Sequence, residues 1–214
     1  MASLIDQIVR HNGMDSIFSH TSRFEFISNG GLSEVATSFK AVPKTIRLPG
    51  VKTKKETRYF FNNARALAKI AKGKAESFGQ AVVAILFRDS DGTASAGRSR
   101  WADQQQSMLD GFAEENFSGG VPMVPKPKSE AWLICALKPA PYQNCAALED
   151  RSGNDNSPNS LKNELARLLP PGGSHDGLCA KIDQGEIQTN RIDMPSFNAF
   201  RTRLGEVLGS VPPG

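Results

Sequence analysis

The stretch AVVAILFRDSDG at residues 81–92 indicates the architecture more clearly than any other part of the chain. Its first seven residues are all apolar, a pattern typical of a strand that helices cover on both faces. The run then changes abruptly to charged and small residues that favour a turn. Apolar residues at helical spacing precede and follow this strand. An alternation of strands and helices predicts an α/β sandwich with a largely parallel sheet.

Helical periodicity predicts the remaining elements on both sides of this strand. Helices are predicted at 3–11, 56–74, 100–116, 129–137, 160–169, 176–182 and 196–208. FEFIS at 24–28 predicts a short strand, followed by a glycine turn and a helix that Ser33 caps over 34–40. VPMVP at 121–125 predicts an edge or irregular strand because of its prolines, and 44–55 predicts an exposed loop. We expect one domain over 1–208 and a flexible tail at 209–214.

Composition excludes several classes of protein. The 214 residues include 39% hydrophobic and 22% charged residues, which fits a globular domain rather than a disordered chain. No apolar run approaches the roughly 18 residues that a membrane span requires, and the N-terminus lacks the apolar core of a signal peptide. Three cysteines without a CxxC spacing predict reduced thiols in a cytoplasmic protein, with neither a disulfide framework nor a zinc site.

The net charge of +4 is unevenly distributed. Residues 1–88 hold 14 basic and 6 acidic residues (+8), and residues 89–214 hold 12 and 16 (−4), which together give +4. Most of the basic excess lies in 40–74, where we predict nucleic-acid contacts from Lys52, Lys54, Lys55 and Arg58. Such a patch attracts phosphate backbones without reading bases. The alternative is a solvated helix face beside a charged loop.

Two aspartates lie just beyond the predicted strand, where α/β proteins bind their ligands. Asp89 and Asp91 are separated by one residue, so in an extended chain their side chains project to the same side. Like charges at this separation favour a bound cation, and hard carboxylate oxygens suit Mg²⁺ or Mn²⁺. The alternative is an ordinary polar turn, since Asp, Ser and Gly are common turn residues.

A second group of charged residues lies at KPKSEAWLICAL, residues 126–137. Glu130 opens a predicted helix, where the dipole favours a carboxylate. We predict Glu130 as a further metal ligand or base, with Lys126 and Lys128 contacting phosphate. The alternative is an acidic first helical turn, lysines in solvent, and Trp132 in the core.

The order of these motifs resembles a family of small bacterial Toprim-like proteins, related to the Toprim domain of the overcoming-lysogenization-defect nucleases. The resemblance covers 24–208 and includes SLKNELARLL and the IDMPSFNAFRTRL helix at 192–204. It implies a sheet of about four strands between helices. It also implies that Asp89 and Asp91 are the DxD ligands of Mg²⁺, and that Glu130 is the later acidic ligand. These three would be the catalytic residues.

The resemblance also implies a function. It predicts a metal-dependent nuclease that cleaves nucleic-acid phosphodiesters, most simply of DNA, in defence against phage or plasmids with an ATPase partner. We also expect a homo-oligomer, which does not follow from the resemblance. The family's first strand, which ends in Glu-Gly, has no counterpart after Met1, where a helix-like LIDQIVRHNG begins. We therefore expect either that this strand lies upstream or that the site is degenerate, which would make the chain a non-catalytic subunit that binds nucleic acid or a partner.

Overall fold

A computed structural model of the chain describes residues 1–19, 24–39, 55–90, 98–169 and 175–211. In chain order the elements are α1 (Ala2–His11), α2 (Asn29–Thr37), α3 (Lys55–Phe78), β1 (Ala84–Phe87), α4 (Arg98–Glu114), β2 (Gly120–Met123), α5 (Ser129–Leu137), α6 (Leu161–Leu168), α7 (His175–Asp183) and α8 (Pro195–Gly209). Two short 3₁₀ helices lie at Cys145–Asp150 and Thr189–Arg191. None of the described helices combines the length and the apolar character needed to cross a bilayer.

The sheet consists of β1 and β2 within the described residues. The backbone N–H groups of Ala84, Arg88 and Ser90 donate to the carbonyls of Gly119, Met123 and Pro125. Both strands therefore advance together at a constant offset of 35 residues, which identifies the pairing as parallel. The mixed α/β class is confirmed, and the described residues form two paired strands where the resemblance implied about four.

The apolar run at 81–87 forms a shorter and less covered strand than we predicted. Only 84–87 is a strand, and Ala84 and Leu86 are buried while Phe87 is 42% exposed. One face of β1 therefore packs on the core, and the prediction of helices on both faces was wrong. A continuous apolar run does not by itself reveal how many faces neighbouring elements cover. By contrast, all four residues of β2 are buried, including Pro122.

The predicted strand at 24–28 was also wrong. These residues form no strand, and Phe26 is 82% exposed. The Ser28 side chain accepts a hydrogen bond from the Gly31 N–H, so Ser28 rather than Ser33 caps α2. The glycines that indicated a turn are among the first residues of the helix. An N-cap bond satisfies a helix N–H that has no partner within the helix, and it outweighs the low helix propensity of glycine here.

The described residues group into two compact units. The first comprises Met1–Phe24, Phe87–Trp101 and Met123–Gly214, and the second comprises Glu25–Leu86 and Ala102–Pro122. The single domain expected over 1–208 stays a prediction. The loop expected at 44–55 lies outside the described residues, apart from the start of α3.

The core of the first unit is built around α5. Six consecutive residues from Ala131 to Ala136 are buried, so this helix is covered on all sides. The indole ring of Trp132 lies 4.9 Å from the ring of Phe197 and 6.1 Å from that of Phe200, both on α8. On α1, the buried Gln7 amide donates to the carbonyls of Ile182 and Ile187 and accepts from the Thr189 N–H. This one side chain ties α1 to the end of α7 and the segment that follows it.

The three cysteines are not all thiols, which corrects the prediction from spacing. Cys135 and Cys145 form a disulfide with their Cα atoms 5.2 Å apart, and Cys179 is not part of one. The chain turns back between them because Tyr142 and Asn144 adopt positive φ, and the Tyr142 N–H donates to the Cys135 carbonyl. A separation of ten residues carries no motif that would have predicted this pairing. The cytoplasmic location therefore loses its support from cysteine usage.

In the second unit, α2 packs on α3, and α3 packs closely on α4. The predicted apolar stripe of α3 is confirmed, since Phe60, Ala64, Leu67, Ala68 and Ala71 are all buried. On α4, a Cβ added at Gly111 would lie 2.4 Å from the Phe61 carbonyl oxygen and 2.9 Å from the Ala64 Cβ. The two helices therefore approach so closely that only glycine fits at this position.

This contact yields a prediction about two glycines in helices. Gly111→Ala should destabilise the protein by about 2 kcal/mol, because the new methyl group must push α3 and α4 apart. Gly73→Ala on α3 should instead stabilise it by about 1 kcal/mol, because a Cβ there would have nothing within 4 Å. Denaturant midpoints of the two variants test this. Equal shifts in the same direction would contradict the close contact.

Candidate functional site

The candidate site lies in the first unit, where the chain leaves β1. Pairing continues past the end of the strand, since the Ser90 N–H donates to the Pro125 carbonyl and its hydroxyl donates to the Pro127 carbonyl. This extension carries Asp89 to the beginning of α5, where its Oδ1 accepts from the Ser129 N–H at 2.9 Å. Asp89 thus satisfies one of the N–H groups that the first turn of a helix leaves without an intrahelical partner.

Glu130 is the second residue of the same helix. Its Oε2 atom is buried and has no hydrogen-bond partner among the described residues. Leaving a buried carboxylate oxygen without a partner is costly, and such an atom in a native structure calls for an explanation such as a bound ion. Two of the predicted ligands, Asp89 and Glu130, are therefore brought to one helix N-terminus.

The donor set fits a hard divalent cation. Both groups offer carboxylate oxygens, which Mg²⁺ and Mn²⁺ prefer, and Mg²⁺ is commonly held by one or two carboxylates plus substrate phosphate. Asp91, the third predicted ligand, lies outside the described residues. Within the part of the chain that is described, no three acidic, histidine or cysteine side chains form a metal-binding group. Asp89 and Glu130 therefore form the described part of the candidate centre.

The two lysines predicted to contact phosphate flank Pro127 and already have partners. Lys128 donates from Nζ to the Asp155 Oδ2 at 2.7 Å, and Lys126 Nζ lies 3.8 Å from the Asp150 Oδ1. The Lys128 hydrogen bond holds the pKa of the Asp155 carboxyl below its usual range. Sequence reasoning missed these carboxylates, which are 24 and 27 residues away along the chain.

The basic segment of the second unit is only partly described. Lys52 and Lys54 lie outside the described residues, Lys55 begins α3, and Arg58 is exposed on α3. Further along α3, Arg65 and Lys74 form ion pairs with Glu115 and Glu25, and Lys72 donates to the Glu115 carbonyl. Part of the basic excess is therefore neutralised within the chain.

A buried carboxylate on the 3₁₀ helix Cys145–Asp150 was not predicted from the sequence. Glu149 is 5% exposed, and its Oε1 accepts from the Ser196 N–H at 2.7 Å, near the start of α8. The Ser196 hydroxyl in turn accepts from the Trp132 indole N–H at 2.9 Å. This chain of bonds joins α5, the 3₁₀ helix and α8. Burial raises the pKa of Glu149, although the Ser196 hydrogen bonds and Lys126 oppose that shift.

This raised pKa predicts a pH-dependent contribution to stability. Glu149 holds its proton more tightly in the folded state than in the unfolded state, where its pKa is about 4.3. Its contribution is therefore complete below that value and is lost as pH rises through the folded pKa. Glu149→Gln keeps the acceptor for Ser196 but cannot ionise. We expect the variant to gain stability relative to wild type as pH rises above about 4.3 and through the folded pKa of Glu149.

Urea midpoints of both proteins at several pH values in that range provide the measurement. The informative quantity is the difference in the free energy of unfolding between variant and wild type at each pH. The contributions of the other titrating groups are the same in both proteins and cancel in this difference. A difference that stays flat or falls with rising pH would contradict the prediction.

No family model, curated protein or solved structure matches the chain in comparisons with known proteins. The case for a function therefore depends on the site's own geometry and on the order of motifs in the sequence.

Proposed function

We propose that the chain is a Mg²⁺- or Mn²⁺-dependent Toprim-like nuclease that cleaves nucleic-acid phosphodiesters, with DNA as the first substrate to test. The observation that carries this proposal is the buried Glu130 Oε2, which lacks a hydrogen-bond partner among the described residues, at the helix N-terminus that Asp89 also contacts. The described residues offer the Glu130 Oε2 atom no hydrogen-bond donor, and a bound cation would stabilise a carboxylate in this position.

In this proposal the chain's own residues perform distinct tasks. Asp89 and Glu130, together with Asp91, would hold the cation, which when bound neutralises phosphate and lowers the pKa of a water molecule. Asp89 additionally fixes the start of α5 through the Ser129 N–H. Lys126 and Lys128 would contact the phosphate beside it. Exposed Arg58 and the neighbouring lysines at 52, 54 and 55 would attract the backbone without reading sequence.

The wider assignments belong to the same proposal. They are a sheet of about four strands between helices, an ATPase partner, a role in antiviral or anti-plasmid defence, a homo-oligomeric state and a cytoplasmic location. The sheet, the ATPase partner and the defence role derive from the resemblance in motif order, whereas the cytoplasmic location was predicted from cysteine usage and the homo-oligomeric state does not follow from the resemblance. The cleavage chemistry has the additional support of the Asp89–Ser129 contact and the buried Glu130 oxygen.

The direct test is an assay of the purified wild-type chain. Supercoiled plasmid incubated with Mg²⁺ or Mn²⁺ should become nicked, and EDTA should stop the reaction. A calorimetric titration with Mn²⁺ alone should detect binding without any substrate. Absence of both cleavage and Mn²⁺ binding would overturn the proposal.

A second candidate is a non-catalytic subunit that binds nucleic acid or a partner protein. It is favoured by the structural uses that the site residues already have, since Asp89 caps α5 and both lysines pair with the chain's own aspartates. This alternative predicts salt-sensitive DNA binding with neither Mn²⁺ binding nor metal-dependent cleavage. The Mn²⁺ titration therefore separates the two candidates.

A further inference from the structure

Lys126 and Lys128, beside the candidate centre, each form an ion pair with an aspartate of the segment 150–155, which we call the aspartate loop. The side chains of Lys126 and Lys128 are 22% and 14% exposed, whereas those of Asp150 and Asp155 are 66% and 50% exposed. The aspartate side chains are therefore more exposed to solvent than the lysine side chains with which they pair.

The aspartate loop is anchored to the neighbouring helix α6. The Arg151 guanidinium forms an ion pair with Glu164 of α6 and donates to the Asn159 carbonyl at 2.7 Å. Turn hydrogen bonds from nearby N–H groups to the Ser152 and Asn154 side chains shape the remainder of the loop. The carboxylates are thus held near the lysines by a local framework that does not depend on the ion pairs themselves.

We propose that Lys126 and Lys128 form a phosphate-binding site and that Asp150 and Asp155 are built-in competitors, which an incoming phosphate must displace. The inference rests on the proposed function and deepens it, because it concerns the same site. A carboxylate, like a phosphate, offers anionic oxygens to an ammonium group. Ion pairs in contact with solvent contribute little free energy, and both aspartates are at least half exposed, so we expect a polyanion that brings several phosphates to exchange with them.

Neutralising the competitors should therefore strengthen binding. We expect Asp150→Asn with Asp155→Asn to bind a fluorescein-labelled DNA oligonucleotide about fivefold more tightly than wild type at low salt. Adding Lys126→Gln and Lys128→Gln to that variant should remove the gain. All measurements are made by anisotropy in EDTA, so that they do not depend on metal binding or cleavage.

A matched control removes the same charge elsewhere in the first unit. Glu186 and Glu206 are 51% and 60% exposed and pair with Lys181 and Arg203. Glu186→Gln with Glu206→Gln changes the net charge equally, so a general electrostatic effect would raise affinity in both double variants alike.

The outcomes separate this inference from the proposed nuclease. A gain confined to the aspartate-loop variant supports the inference, even if the protein cleaves nothing. Equal gains in both variants, or no gain in either, would overturn it, whether or not the protein cleaves DNA. Competition by inorganic phosphate at low millimolar concentration would identify a free phosphate as the ligand, whereas competition by unlabelled oligonucleotide alone would identify the nucleic-acid backbone.

Discussion

Asp89→Asn combined with Glu130→Gln is expected to lower metal-dependent cleavage by roughly a thousandfold, because it removes two ligand charges that would hold the cation. The asparagine side chain keeps an oxygen that can accept from the Ser129 N–H, so the start of α5 should be retained. The glutamine side chain keeps the shape of the glutamate that it replaces. The double substitution therefore removes charge while preserving the local fold, and plasmid nicking with Mn²⁺ is the measurement.

Two comparisons make this result interpretable. Asp193→Asn with Glu206→Gln removes the same charge from two exposed positions, one just before α8 and one on it. This variant should leave cleavage within about twofold of wild type. Asp89→Ala should additionally lower stability, because the Ser129 N–H loses its acceptor. Full cleavage by the variant that carries both Asp89→Asn and Glu130→Gln would exclude this cluster as the catalytic centre.

The largest loss of stability is expected from Trp132→Ala, at about 4 kcal/mol. Trp132 is fully buried, and its ring packs against Phe197 and Phe200. Truncation would leave a cavity the size of an indole ring, and the Ser196 hydroxyl would lose its N–H donor. The shift in denaturant midpoint, multiplied by the slope of the transition, measures the effect.

Trp132→Phe and Phe26→Ala provide the controls. A phenylalanine at position 132 keeps most of the aromatic packing but removes the indole N–H, so we expect a loss of about 1–2 kcal/mol. Phe26 is 82% exposed, and its truncation should change stability by less than about 0.5 kcal/mol. An effect of Trp132→Ala as mild as that of Phe26→Ala would contradict the packing of Trp132 against Phe197 and Phe200.

The elements that the sequence predicted correctly are those whose signal is local. The helices α1, α3, α4, α5, α6, α7 and α8 all lie close to their predicted positions, because helical hydrogen bonds join residues four apart and the apolar face repeats at the same spacing. Trp132 in the core belonged to the alternative interpretation of 126–137, and its burial bears out that part of the alternative. The predicted site residues Asp89 and Glu130 both lie at the N-terminus of α5, where Asp89 accepts from the Ser129 N–H and Glu130 is the second helical residue.

The features that the sequence missed depend on residues far apart in the chain or on unusual backbone. Glu149 meets Ser196 across 47 residues, and Lys128 meets Asp155 across 27. Neither pair has a spacing that any regular element would repeat. The disulfide between Cys135 and Cys145 depends on left-handed backbone at Tyr142 and Asn144, a conformation that is uncommon for residues other than glycine.

The sequence by itself therefore determined every helix named above except α2, the parallel character of the sheet, the positions of Asp89 and Glu130 next to their elements, and the buried face of α3. Each of these depends on periodicity or on a short motif. Only the tertiary structure decided that β1 is covered on one face. It also decided that one carboxylate oxygen of Glu130 is buried without a partner among the described residues. The same holds for the ion pairs of Lys126 and Lys128 with aspartates. Burial and ion pairing depend on which surfaces pack together after the chain has folded. A local sequence pattern does not specify those long-range contacts.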